Sequence, residues 1–240
     1  MHRKTLKRYA VYSSLIFSFL PPTMATAQNL LSGGGQWSPL SSYSYLGGIL
    51  PLAGAQLGKG WFVTVFANYL TYQYRSGNPI ELVQTKAPGF NAGMGYAWKG
   101  ASYALALSGS VGDQFFSVTP RVLPNAPPPQ PEGNVATFTP QIQARYDLSH
   151  QFYLSTSDSY SFGQSAYWSR VRGGYQPMWW LSVGPEGFIQ GGQNYHIWQI
   201  GAFASCQLGY GWGIELESGV TYSNGLDNTG YGGFSFSKTF

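Results

Sequence analysis

Few side chains in this sequence could do chemistry, and their types narrow the options quickly. Beyond residue 27 the histidines are His150 and His196, and Cys206 is the one cysteine of the chain. No set of Cys, His, Asp and Glu falls at metal-ligand spacing. No glycine-rich loop opens a helix, and phosphate-loop and dinucleotide fingerprints are missing. The sequence therefore asks for no cofactor and excludes nucleotide chemistry. A lone cysteine forms no intrachain disulfide and reads as a buried or lipid-facing thiol. What remains is one histidine in an aromatic setting, Tyr195-His-Ile-Trp198, and a sparse set of charges. Those charges are Arg145, Asp147, Arg170, Arg172, Glu186, Glu215 and Glu217. A histidine beside a serine, oriented by an acid or an amide, would hydrolyse or transfer acyl chains. Clustered opposite charges would either neutralise one another or line a wet channel.

The elements that must position these groups are strands. The last ten residues, Tyr231-Gly-Gly-Phe-Ser-Phe-Ser-Lys-Thr-Phe240, alternate with period two. Phe234, Phe236 and Phe240 hold one parity, and Gly233, Ser235, Ser237 and Thr239 the other. A strand that ends on a bare Phe resembles the closing strand of a bacterial outer-membrane barrel, which pairs with the first strand and leaves no edge. Lys238 breaks the apolar parity, and near a membrane rim its ammonium snorkels to the headgroups. The same alternation recurs upstream. Phe138, Ile142, Ala144, Tyr146 and Leu148 oppose Thr137, Thr139, Gln141, Gln143, Arg145 and Asp147. Tyr167, Val171 and Tyr175 oppose Arg170 and Arg172, while Trp212, Ile214, Leu216 and Val220 oppose Glu215 and Glu217. Arg or Lys facing lipid at mid-depth costs about 2–4 kcal/mol. The charged parity therefore faces the lumen. Trp61, Tyr69, Trp98, Tyr103, Trp179 and Trp212 fall near strand ends, as interfacial aromatic girdles require.

Eleven strand-like segments are clear, at 42–52, 60–73, 88–99, 101–114, 136–148, 151–161, 165–176, 178–189, 194–207, 211–223 and 229–240. Tight connections fall at Lys99-Gly100, Ser149-His150, Pro177 and Leu208–Tyr210, and long ones at Tyr74–Lys86, Phe115–Val135 and Asn224–Asn228. Bacterial barrels have an even strand number, with short turns in the periplasm and long loops outside. With the C-terminus in the periplasm, every connection falls on its proper side only if one more strand lies within Asn29–Trp37. The count is then twelve. The longest loop carries Pro124-Asn-Ala-Pro-Pro-Pro-Gln-Pro131, a stiff extended stretch that reads as a surface insertion or as a docking lid.

Residues 1–27 read as a signal peptide. Arg3, Lys4, Lys7 and Arg8 precede a short apolar run, and Ala25-Thr26-Ala27 is a small-x-small cleavage site. Removing those four bases from the thirteen Lys and Arg leaves nine, against nine Asp and Glu. The formal +4 of the full chain thus belongs to its start, and nothing in the remainder points to nucleic acid. Charged residues are only 9% of the sequence, too few for the surface of a soluble protein but suited to a wall that meets lipid. No later apolar run approaches the roughly 20 residues of a membrane helix. The expected fold is all-β: a single antiparallel transmembrane β-barrel of twelve strands over residues 28–240, in the bacterial outer membrane among its lipids.

Within that barrel the chemical candidates sort by face. His196 shares the lipid-facing parity of Trp198 and Ile200, with no hydroxyl one or two positions away on that face. It reads as an interfacial histidine, with a catalytic base at the outer leaflet as the alternative. The lumen candidates are Arg145, Asp147, Arg170, Arg172, Glu186, Glu215 and Glu217. Trp180 shares the parity of Glu186 and is the best single platform for a sugar ring. The lumen is either plugged by cross-paired charges or open as a small diffusion pore.

Short motifs add a resemblance. Leu181-Ser-Val-Gly-Pro-Glu186 followed by Ile200-Gly-Ala-Phe-Ala-Ser205 resembles the paired motif of the bacterial cellulose biosynthesis protein BcsS family. Leu46-Gly-Gly-Ile-Leu-Pro-Leu52, Gly60-Trp-Phe and Tyr72-Gln-Tyr74 fit the family's N-terminal half in order and spacing. Two positions depart: Ala55 stands where the family pattern has an acid, and Gln199 where it has a base. The resemblance implies a non-enzymatic outer-membrane barrel accessory to cellulose synthesis or secretion, with cellulose or other components of that system as partners.

Overall fold

The period-two pattern becomes twelve strands in a computed structural model that describes residues 29–39, 41–76, 81–119, 132–192, 195–223 and 228–240. They are β1 (Leu30–Trp37), β2 (Ser41–Pro51), β3 (Gly60–Ser76), β4 (Glu81–Lys99), β5 (Tyr103–Thr119) and β6 (Gly133–Asp147). After them come β7 (Phe152–Ser161), β8 (Ala166–Met178), β9 (Leu181–Gly192), β10 (Tyr195–Gly209), β11 (Trp212–Ser223) and β12 (Thr229–Thr239). Each strand pairs antiparallel with its sequence neighbours, and β1 closes on β12 in a register from Leu30↔Thr239 to Trp37↔Gly232. The closed ladder leaves no unpaired edge, which is what the interior of a membrane demands of a sheet. The strand expected within Asn29–Trp37 is β1. Its glycine-rich sequence has little pattern of its own. It is fixed from both sides, by β2 and by β12.

Several connections differ from the sequence reading. The segment 74–86 is not a long loop, because β3 continues to Ser76 and β4 begins at Glu81, fully paired over that length. Likewise β5 runs to Thr119 and β6 starts at Gly133, shortening the expected 115–135 loop. The aromatic and β-branched residues there (Tyr72, Val83, Phe116, Val118) bury themselves inward and sustain the ladder. Pro177 lies within β8, beside a register shift between Tyr175 and Met178, and Trp179-Trp180 makes the turn instead. Residues 1–27, read from sequence as a signal peptide, and the polyproline stretch Pro124–Pro131 lie outside the described residues.

Faces follow the predicted parities. Val65, Phe90, Met94, Val111, Ile200 and Leu216 are exposed on the outer wall, at mid-strand. Near the turns that join β2 to β3, β4 to β5 and β10 to β11, Trp61, Trp98, Tyr103 and Trp212 are exposed too. This tight-turn end is the one read from sequence as periplasmic. At the opposite end Trp198 packs on Tyr222 at 5.3 Å and Phe138 on Phe162 at 5.9 Å between ring centroids. The two belts are interfacial girdles. Lys238 does snorkel. Its ammonium sits over Trp212 and Phe240 and donates to the Tyr210 carbonyl. Among the described residues two acids break the outer parity: Asp113 of β5 stands between Val111 and Phe115, and Asp158 of β7 stands with Leu154 and Tyr160, where the Thr156 and Ser169 hydroxyls satisfy it.

Inside, a large apolar cluster joins Leu70 and Tyr72 of β3, Val83 and Ala87 of β4, and Phe116 of β5 to Ala166 of β8 and Ile197 of β10. In the closed order β10 lies six strands from β4, so this cluster spans the lumen on the side away from the tight turns. Replacing Val111, which is 64% exposed at the middle of β5, by Arg should lower unfolding stability in lipid by about 2–4 kcal/mol. Val111→Leu should change it little, and urea titration of the refolded barrel reads both.

Candidate functional site in the barrel lumen

Five of the sequence-predicted lumen residues meet at one place. Arg170 and Arg172 project from β8, Glu186 from β9, and Glu215 and Glu217 from β11, all buried. Arg172 is the hub. Its Nη1 and Nη2 donate to the two carboxylate oxygens of Glu215 at 2.9 and 2.8 Å, a bidentate fork. Its Nε donates to Glu186 Oε2 at 2.8 Å, and Nη2 also reaches Glu217 Oε2 at 3.1 Å. Arg170 Nη1 donates to Glu217 Oε2 at 3.3 Å and stands 3.9 Å from Glu186 Oε2. Buried charges are tolerated only when paired and hydrogen-bonded, and this cluster meets both conditions.

Aromatic rings and glycines give the cluster its seat. The Arg172 guanidinium lies over the Phe203 ring at 4.4 Å, and Arg170 over Phe188 at 5.3 Å and Trp168 at 5.6 Å. Tyr231 of β12 donates its hydroxyl to Glu186 Oε1 at 3.2 Å, although two strands separate them. The register explains the reach: Tyr231 pairs with Gly219, Gly219 with Gly201, and Gly201 with Glu186. A Cβ on Gly201 would stand 2.2 Å from the Tyr231 hydroxyl, and one on Gly219 2.7 Å from its ring. The two glycines thus clear the lane in which the tyrosine lies.

The other predicted residues go elsewhere. Arg145 pairs with Asp147 at 2.8 Å near the tight-turn end, and its guanidinium covers the Tyr153 ring at 3.7 Å. Trp180 sits in the β8–β9 turn at the rim of that end, not among the charges. His196 is exposed on the outer wall and its Nδ1 pairs with the Tyr167 hydroxyl. Ser169, on the same face of β8, donates to Asp158 rather than to the histidine. Gln199, where the family pattern has a base, is buried inward and donates to Thr221 at 2.9 Å. Ala55 lies in the β2–β3 turn, its amide donating to the Leu52 carbonyl. Sequence reasoning missed Tyr231 and Phe203. Their signal was parity, each being a large aromatic on an inward face, Tyr231 among small and hydroxyl residues and Phe203 between Gly201 and Ser205.

Two cavities lie beside the cluster. On the side away from the tight turns is one of about 70 Å³ bordered by Asn68, Asn91, Gln114, Thr139 and Gln141. On its tight-turn side lies another of about 70 Å³, whose inner end is Glu215. Among the described residues no group of His, Cys, Asp and Glu could hold a metal ion.

The sequence carries the family signature over the whole of this architecture. The model of the cellulose biosynthesis protein BcsS family matches residues 30–240. The chain belongs to that family. Its motif Leu181–Glu186 brings Glu186 into the cluster, and Ile200–Ser205 brings Gly201 and Phe203. Solved structures share the fold. The KdgM porin superposes with a TM-score of 0.57 at 10% identity, over 88% of this chain and 99% of that one. The beta domain of the Bordetella autotransporter BrkA gives 0.55 at 11% identity, over 90% and 100%. A deletion mutant of the monoaromatic hydrocarbon channel TodX gives 0.53 at 7% identity, over 92% and 93%. Such identities convey the fold alone: this is an outer-membrane β-barrel. No curated protein matches the sequence.

Removing the hub should be costly. Arg172→Met leaves three carboxyls with Arg170 as their one guanidinium partner among the described residues, and should destabilise the barrel by about 3–5 kcal/mol in urea titration. Adding Glu215→Gln should recover part of that loss, because the carboxylate that the fork neutralised is gone.

Proposed function

We propose that this barrel serves cellulose biosynthesis as a non-enzymatic, non-conducting accessory of the outer membrane. The family supplies the system, and the barrel supplies the location. The observation that carries the finer reading is the Arg–Glu cluster that ties β8 to β11 inside the lumen, backed towards the end opposite the tight turns by the apolar cluster. A glucan conduit needs a continuous wet path with polar walls. Here the path would have to break a forked ion pair and an apolar plug in series. The charges pair with one another, which favours the plugged lumen over the small diffusion pore.

The engagement of His196 and Ser169 elsewhere supports the non-enzymatic part among the described residues. An acyl-transfer site needs a hydroxyl nucleophile within hydrogen-bond reach of its base. His196 is engaged by a tyrosine, whose phenol is a poor nucleophile for that task, and Ser169 is engaged by Asp158. The barrel then acts by what it binds or holds: cellulose or other components of the synthesis system, in a membrane of outer-leaflet and inner-leaflet lipids.

Single-channel recording of the refolded barrel in planar bilayers tests the closed lumen. No stable conductance is expected, with or without soluble cello-oligosaccharides; a stable current that the sugars block would overturn the reading. In cells, His196→Ala should leave cellulose output and lipid acylation unchanged, as measured by dye binding and lipid mass spectrometry. A change in acylation on that substitution would restore the lipid-modifying enzyme.

A further inference from the structure

The cavity at the tight-turn end is bordered by Glu215 on one side and by the Trp179-Trp180 turn on the other. Both turn residues are pinned. The Trp180 carbonyl accepts from the Gln207 amide at 2.7 Å, and the Trp179 carbonyl from Gln176 Nε2 at 3.3 Å. Trp180 remains 36% exposed, a partly open indole on a fixed turn. Facing it, Tyr153 lies flat over Gly174, where a Cβ would stand 2.0 Å from the ring, and its hydroxyl bonds Ser182 at 2.8 Å. Its ring is already covered by Arg145.

The charges bordering this cavity are spent on each other: Arg145 on Asp147, and Glu215 on Arg172. What the walls offer instead are amides and hydroxyls, from Gln176, Ser182, Ser205, Gln207 and Ser237, beside the indole. Gln207 Oε1 is buried and accepts no hydrogen bond. Anionic ligands would need a free cation here, and a wholly apolar ligand would leave the lining amides and hydroxyls without partners. Aromatic faces with amide and hydroxyl neighbours suit a neutral polyhydroxylated ring, whose CH face stacks on indole while its hydroxyls pair with amides. A second cavity of about 420 Å³ adjoins the first through Arg145, Tyr153 and Gln176. It lies beside the β4–β5 and β6–β7 turns.

We infer that the tight-turn mouth, around Trp180, Gln176 and Gln207, is a binding site for a segment of neutral glycan chain presented from the periplasm. This deepens the reading as a cellulose accessory, on which the choice of a β-linked glucan rests. The site receives a chain without passing it, so a plugged lumen and glucan recognition belong to one device.

Isothermal titration calorimetry of the refolded full chain in detergent micelles, with cellohexaose as the probe, tests it. Saturable binding is expected, weakened at least tenfold by Trp180→Ala and several-fold by Gln207→Ala, and unchanged by Trp61→Ala on the lipid-facing girdle. Far-ultraviolet circular dichroism and heat-modifiable gel mobility verify that each variant is a folded barrel. No saturable binding, equal binding by the folded Trp180→Ala variant, or preference for an anionic oligogalacturonate would overturn the site. If cellohexaose fails to bind while deletion of the chain still lowers cellulose output, the site falls and the accessory role stands. If it binds while output is indifferent to deletion, the site stands and the accessory role falls.

Discussion

Arg172 binds three carboxylates inside a membrane barrel, and the architecture around it is what makes that possible. A guanidinium has donors in a planar fork, and here the fork spans the gap between β8 and β11 while Nε turns to β9. Each contact shortens the list of charges left without compensation. Phe203 then covers the Arg172 guanidinium and Phe188 that of Arg170, and Tyr231 takes the remaining Glu186 oxygen. A position two residues along β8, or a β-branched residue in place of Gly201, would undo part of this arrangement. The cluster is thus a property of four strands in one register, not of any single residue.

That dependence explains which features were legible in the sequence. Parity alone turned Arg170, Arg172, Glu186, Glu215 and Glu217 inward, because the alternative puts ions in lipid. Loop parity required a twelfth strand, and β1 is there despite having almost no pattern of its own. Convergence was not legible. Which inward charges meet depends on register across β8, β9, β10 and β11, and nothing local encodes it. Arg145 and Asp147 show the contrast: two residues apart on one face, they found each other and stayed out of the cluster. The tall β3–β5 hairpins were also missed, since polar Tyr, Gln and Thr positions suggested loops where inward burial of Tyr72, Thr85 and Phe116 sustains strands.

Shared fold and separate lumen chemistry go together here. KdgM porin and the BrkA beta domain superpose on nearly the whole chain at about a tenth identity. A barrel wall needs only alternation, girdles and closure, so it accepts almost any sequence that supplies them. The lumen is where a family writes its own content. In this chain the segments Leu181–Glu186 and Ile200–Ser205 supply Glu186, Gly201 and Phe203 to one interior site, on adjacent strands β9 and β10.

The same cluster bears on assembly. Side chains in a strand change face with every residue, so a slip of β8 by a single position against its neighbours turns Arg170 and Arg172 out into hydrocarbon. It would at the same time strand the glutamates in the interior. Ladder hydrogen bonds are nearly indifferent to such a slip, and the glycine-rich stretches of this chain resist it weakly. The buried ions are not indifferent. They act as a proofreading key for the C-terminal half of the barrel, cut so that one alignment of β8 to β12 satisfies every head group.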